Sequence, residues 1–274
     1  MSELKRVAAI NDMSGASRCS LTVAIPVLTA YGVQCCALPT AILSNHTGYD
    51  KFFFDDYTDK MRDYYRVWKE TGMTFDCIYS GFLGSEEQID IVDEFIRDFR
   101  DSGTRVLVDP VMADDGKIYS TYNEKMCDKM RHLIQYADVI TPNVTEACIL
   151  SGMPYTGEKI TIDTARTMAK KIAKTGVETI IITGIKTDDK VINYVYSDGQ
   201  DYVCISDIIP VYYAGTGDLF ASIICGYMAQ ERSIFDAVTF ASKFIARTAQ
   251  YSYEQGIAPL DGVCFEKFLF EMGK

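Results

Sequence analysis

The chain has 274 residues, 48% hydrophobic and 24% charged, the balance of a globular protein large enough to bury a core without disulfide or metal staples. Its formal net charge of −11 argues against nucleic acid or an anionic membrane as the main partner, because both call for a basic surface. A nucleotide remains admissible, since local N–H groups and a metal ion can hold one.

The nine cysteines form no C-x-x-C pair and mostly sit in apolar runs, which speaks for small buried hydrophobes in a reducing compartment. The start, "MSELKRVAAIND", lacks the apolar centre of a signal peptide, and no apolar run reaches membrane-spanning length. The expected location is therefore the cytoplasm.

In chain order, apolar runs predict strands at 6–10, 33–40, 75–80, 104–111, 138–142 and 178–183. A hairpin follows at 191–197 and 201–206 around "DGQ". Amphipathic segments predict helices near 20–31, 57–71, 85–101, 122–136, 143–151, 161–175, 217–230 and 233–251. Pro26 falls inside the first helix and should kink it. The alternation implies right-handed crossovers and a largely parallel sheet with helices on both faces, in one domain over 1–274. Such sheets bind ligands at the carboxyl ends of their strands, so the loops there carry the search for function.

After the first strand, "NDMSGASR" (11–18) is small and polar; it serves equally as a ligand cradle or an ordinary loop. After the second, His46 stands among Ser44, Asn45 and Thr47, a dense patch of donors and acceptors suited to a polar aromatic or sugar-like substrate. After the third, Ser85 and Gln88 form a capping box for the next helix, which leaves Phe82 free to face a ligand. Asp109 ends the fourth strand, with Asp114 and Asp115 beyond it. A strand-end Asp in an apolar run is costly to bury alone, and a magnesium–phosphate site would supply partners. After the fifth, Asn143 caps a helix and Glu146 lies in its first turn, either as a dipole match or as part of a shared cation site. Near the end, Gly215-Thr216-Gly217-Asp218 opens an apolar helix. P-loop, dinucleotide, zincin and nucleophile-elbow motifs are absent from the sequence.

Together these elements resemble the pyridoxal kinases of the ribokinase-like superfamily. They are Ser44-Asn45-His46-Thr47 with Tyr49, Ser80-Gly81-x-Leu83-Gly84-Ser85, Asp109-Pro110-Val111-Met112, Thr141-Pro142-Asn143 with Glu146, and Gly215-Thr216-Gly217-Asp218-Leu219-Phe220. The last marks the superfamily only, whereas S-N-H-T-x-Y is much more specific to vitamin B6 kinases. The resemblance implies a three-layer α/β/α sandwich without a large lid domain. It also implies ATP-dependent phosphorylation of the 5′-hydroxymethyl group of pyridoxal, pyridoxine or pyridoxamine by a homodimer using Mg²⁺, with room for K⁺. By motif position, Asp218 is then the general base and Gly215, Thr216 and Gly217 form the anion hole. Thr47 and His46 contact the substrate; Asp109, Asp114 and Glu146 organise Mg²⁺ and phosphates; Asn143, Thr183 and Gly184 lie near the nucleotide.

Two departures from the family pattern stand out. Asn11-Asp12 replaces Gln-Ser, and Asp12 is expected to accept from a protonated pyridinium. Phe82 replaces Tyr, keeping a stacking face without the hydroxyl. "NDMSGAS" is also similar to hydroxymethylpyrimidine kinases, which keeps that acceptor, or a sugar or nucleoside, as an alternative. Those pyrimidine kinases usually carry Cys where this chain has Asp218. For Asp218 itself, the helix dipole predicts a lowered pKa and hence a weak base that mainly orients the hydroxyl.

Overall fold

The structure, a computed structural model, describes residues 4–157 and 160–273, so the ends of the expected 1–274 unit lie outside it. Its strands are β1 (Arg6–Ser14), β2 (Gln34–Leu43), β3 (Phe54–Asp56), β4 (Cys77–Ser80), β5 (Arg105–Val108), β6 (Ala113–Asp114), β7 (Lys117–Ile118), β8 (Val139–Ile140), β9 (Thr179–Lys186), β10 (Lys190–Ser197) and β11 (Gln200–Asp207). Its helices are α1 (Ser20–Ala30), α2 (Thr58–Glu70), α3 (Glu86–Phe99), α4 (Glu124–Leu133), α5 (Val144–Ser151), α6 (Ile162–Ile172), α7 (Thr216–Ala229) and α8 (Ile234–Glu254).

The main sheet runs β11-β10-β9-β8-β5-β4-β1-β2-β3. From β9 through β2 all neighbours are parallel; β3, β10 and β11 close the two sides antiparallel. The central strands are apolar on both faces, with a period of two. Ala8 and Ile10, Ile78, Val106 and Val108, and Ile180 and Ile182 enter the layer built with α2 to α6. Val7 and Ala9, Cys77 and Tyr79, Leu107, and Ile181 enter the opposite layer, built with α1, α7 and α8. Each large aliphatic side chain fully buried there contributes about 1.5–3 kcal/mol. Helix α7 is buried along Leu219–Ala229, so it carries no polar face and its free polar chemistry is confined to its first turn.

The three-layer α/β/α architecture is the one expected. Strand β3 and the β6–β7 hairpin are additions, and the strand expected over 138–142 narrows to β8, with Asn143 bridging Thr183 beyond it. Pro26 lies within α1, which continues as one helix from Ser20 to Ala30. The capping of α3 also differs from expectation. Ser85 accepts from the Gln88 N–H at 3.2 Å, but Gln88 Oε1 accepts from the Gly84 N–H at 2.7 Å. Its Nε2 donates to Thr40 O and to Thr58 Oγ1, both at 2.8 Å. Gln88 thus ties β2, α2 and the β4–α3 loop together from a buried position. Gln88→Leu would leave these groups unpaired, at about 2–3 kcal/mol and a Tm loss of roughly 4–10 °C in a thermal melt. An unchanged Tm would show that the bridge is dispensable.

Candidate active site

The carboxyl ends of β1, β2, β4, β5 and β8 share one edge of the sheet, and the first turn of α7 sits at that edge. Strand β1 shifts register against β2 between Asn11 and Met13, a bulge that re-aims the residues next to it. Asn11 Nδ2 donates to Asp218 Oδ1 at 3.1 Å. Asp12 is buried, and both its oxygens accept protein hydroxyls, Ser20 at 2.5 Å and Ser14 at 2.7 Å. Asp12 therefore also serves the fold, holding the β1 bulge to the start of α1, with one acceptor site on each oxygen taken by a hydroxyl. Asn11, present in the loop but assigned no role from the sequence, is the residue that reaches Asp218.

Gly215 caps α7 with φ +73, and the Leu219 N–H closes the first turn on the Gly215 carbonyl at 3.0 Å. The N–H groups of Thr216, Gly217 and Asp218 precede any helical partner, so they present the positive end of the dipole. The two glycines have different reasons. A Cβ on Gly217 would meet no atom within 4 Å, which leaves its outer face open for a ligand. A Cβ on Gly215 would lie 1.8 Å from the Arg18 carbonyl oxygen. Gly215 is therefore demanded by backbone packing against Arg18–Cys19.

Burial pushes the Asp218 carboxyl up to about 6; the Asp12 charge adds to this, and bonds from the Ser20 N–H and Asn11 only partly oppose it. The expected lowering by the helix dipole is thus overturned, since desolvation outweighs a surface-scale dipole effect. A carboxyl raised in this way takes up a proton closer to neutrality than an exposed one does.

Asp109 is buried with Oδ1 accepting from Thr141 Oγ1 at 2.8 Å; burial and the nearby Asp218 charge push it up to about 7. Glu146 is raised as well, by burial first and then by Asp109. Its carboxylate accepts the Asn143 N–H at 2.8 Å and the Met112 N–H at 3.1 Å, while Asn143 Oδ1 returns a cap to the Glu146 N–H at 3.0 Å. Asp114, on the β6–β7 hairpin, accepts from the Asp115 N–H and lies beside Tyr212. Asp109 and Glu146 are brought together, but among the described residues no three acids form a chelating group, so Asp109, Asp114 and Glu146 are not a ready-made metal cage. Two mutually repelling carboxyls with all-oxygen donors suit Mg²⁺, whose remaining ligands would be phosphate and water. At the ends of β8 and β9, Asn143 Nδ2 donates to Ala113 O at 2.7 Å, Thr183 N–H to Pro142 O at 2.9 Å, and Gly184 N–H to Asn193 Oδ1 at 3.0 Å. This fixes the ends of β8 and β9 side by side.

The Ser44–Tyr49 loop is stitched down at both ends. Gly15 and Ala16 donate to Leu43 O and Ser44 O. His46 Nε2 meets Leu260 O at 2.8 Å while Nδ1 accepts the Gly48 N–H at 3.1 Å, and Tyr49 OH donates to Asp261 at 2.6 Å. Both ring nitrogens of His46 thus have protein partners, which matches the Nε2–H tautomer and makes His46 a clamp for the loop. Thr47 stays exposed on the clamped loop. Phe82 is half-buried, its N–H on Asn11 Oδ1 at 2.9 Å and its ring against the α2–α6 layer.

A raised carboxylate at an anion-binding helix start, with an acidic pair across the same edge and no P-loop, defines a small-molecule kinase of the ribokinase-like type. The comparisons agree. A family profile described as phosphomethylpyrimidine kinase matches residues 24–261. The chain belongs to this family.

A candidate phosphomethylpyrimidine kinase of Bacteroides thetaiotaomicron, solved with pyridoxal, is 38% identical with TM-score 0.94, over 99% of this chain and 96% of that one. Pyridoxal kinase of Lactobacillus plantarum is 28% identical with TM-score 0.88, over 97% and 96%. The pyridoxine/pyridoxal/pyridoxamine kinase of Bordetella avium is 26% identical over 241 residues, 82% of this chain and 78% of that protein. The chain spans 64% of the length of one curated Schizosaccharomyces pombe relative. Among the described residues, no helix is long and apolar enough to cross a membrane.

Proposed function

We propose that this kinase transfers the γ-phosphoryl group of ATP to the 5′-hydroxymethyl group of a vitamin B6 vitamer, pyridoxal, pyridoxine or pyridoxamine. The observation that carries the reading is the clamped Ser44–Tyr49 loop standing over the same sheet edge as an ionisable base, Asp218. A rigid loop offering Thr47 suits a flat, polar aromatic alcohol, and a similar protein binds pyridoxal. The acceptor proton passes to Asp218 while its oxygen attacks phosphorus and ADP leaves. The N–H groups of Thr216 and Gly217 receive the charge of the transferring group. Asp109 would hold Mg²⁺ directly or through water, with Glu146 behind it, and the ion would supply charge stabilisation to the transferring phosphate. Asn143, Thr183 and Gly184 would border the nucleotide. We take the working form to be a cytoplasmic homodimer of one kinase unit.

A second reading, hydroxymethylpyrimidine as acceptor, is favoured by the family profile. An ATP-consumption assay across the three vitamers, hydroxymethylpyrimidine and ribose separates them. Turnover of the vitamers is expected; turnover of the pyrimidine alone would transfer the assignment to it, and ribose alone would overturn both.

The base also sets a pH profile. Asp218 acts as a carboxylate, so kcat is expected to fall as pH drops through about 6, where the folded protein protonates it. A profile flat down to pH about 4.5, well below this pKa, would remove Asp218 from the role.

A further inference from the structure

We propose that Asn11 positions the catalytic base: its carboxamide holds Asp218 in the orientation from which it takes the acceptor proton. The inference rests on the kinase reading above and on the following geometry. Asn11 is fully buried. Its Oδ1 accepts the Asp12 N–H at 3.0 Å and the Phe82 N–H at 2.9 Å. Two backbone donors at one end of the amide decide which end is oxygen, so the NH₂ end must face Asp218 Oδ1, 3.1 Å away. A flipped amide would set its carbonyl against the carboxylate and leave both backbone donors unmatched.

The neighbouring backbone is shaped around this side chain. A Cβ on Gly81 would lie 2.3 Å from Asn11 Nδ2 and 2.6 Å from its Cγ. Gly81 is not among the residues at positive φ, so the glycine supplies room and not a special backbone angle. The Ser20 backbone N–H also favours the charged form of Asp218, and Ser20 has a φ of +51, unusual for a non-glycine. The groups facing Asp218 from the surrounding elements are Asp12 on β1, Cys19 ahead of α1, Tyr79 on β4, Asp109 after β5 and Tyr212 ahead of α7. None is cationic. The Asn11 donor therefore helps keep Asp218 both ionised and aimed, and Asn11 acts through Asp218.

The test is the pH dependence of kcat for the acceptor that the wild-type protein turns over. Asn11→Asp keeps the shape and still accepts from the two backbone donors, but replaces the NH₂ by oxygen. Its acid limb is expected to move up by about one pH unit or more, with kcat down about 10–100-fold and the KM for ATP changed less than about threefold. Asn11→Ala is expected to move the limb in the same direction. Gly81→Ala, which displaces the amide, should copy that loss in the wild-type background and add nothing in the Asn11→Ala background. An unmoved acid limb in Asn11→Asp, or losses from Asn11→Ala and Gly81→Ala that multiply, would overturn the positioning role. A wild-type protein inactive on every acceptor would instead overturn the kinase reading, so the two failures are distinguishable.

Discussion

Asp218→Asn is expected to reduce kcat by about 10²–10⁴-fold, the span of a lost general base, while leaving ATP affinity within a few-fold. The substitution is nearly isosteric and leaves the α7 N–H groups that would receive the phosphate. What it removes is the group that burial has tuned to about 6. It also flattens the acid limb of the pH profile, because no carboxyl remains there to titrate. Nucleotide affinity by calorimetry and single-turnover kinetics check both parts. Near-normal turnover would show that Asp218 only caps the helix, the role any acid at that position could fill.

Gly215→Ala and Gly217→Ala are expected to fail in different ways. At Gly215 a side chain meets the Arg18 carbonyl at 1.8 Å and the Cys19 Cα at 3.0 Å, in a left-handed conformation. The α7 start must then move away from α1. The left-handed backbone alone costs about 1–2 kcal/mol, and the clash with main chain adds more. Thermal melts should register a loss of several degrees together with activity. Gly217→Ala should melt like the wild type, because its Cβ enters open space. Its loss should appear in kcat and in ATP affinity, since that open space is where a phosphate would approach. Equal Tm values for both variants would refute the separate reasons given for the two glycines.

The layers, the parallel centre and the order of the loops were legible because an apolar strand buried on both faces and an amphipathic helix leave unmistakable periods. Strand β3 and the β6–β7 hairpin were not, since two or three residues hold no period. Chain-local reasoning also missed what surrounds three site residues. It saw the helix dipole at Asp218 but not the burial that opposes it. It did not see the clamp on His46, because its partner, Leu260, is 214 positions away. It did not see the two serines on Asp12, which are gathered only by the β1 bulge and the turn into α1. Asp109 with Glu146 was better anticipated, as both follow strands adjacent across β5 and β8.

The contact between Asn11 and Asp218 joins positions 207 apart. Strand β1 is the first strand made and lies third from the β3 edge of the sheet, yet the helix that brings the base to it is made much later in the chain. During synthesis, then, most of the molecule emerges before any copy can do chemistry. A chain interrupted anywhere short of α7 lacks both the base and the anion-binding turn, however well its earlier strands pair. Such long-range closure is slow to form because loop entropy must be met first. Catalytic competence in this protein is consequently an end-of-folding event, and recovery of activity after dilution from denaturant reports completion of the whole fold.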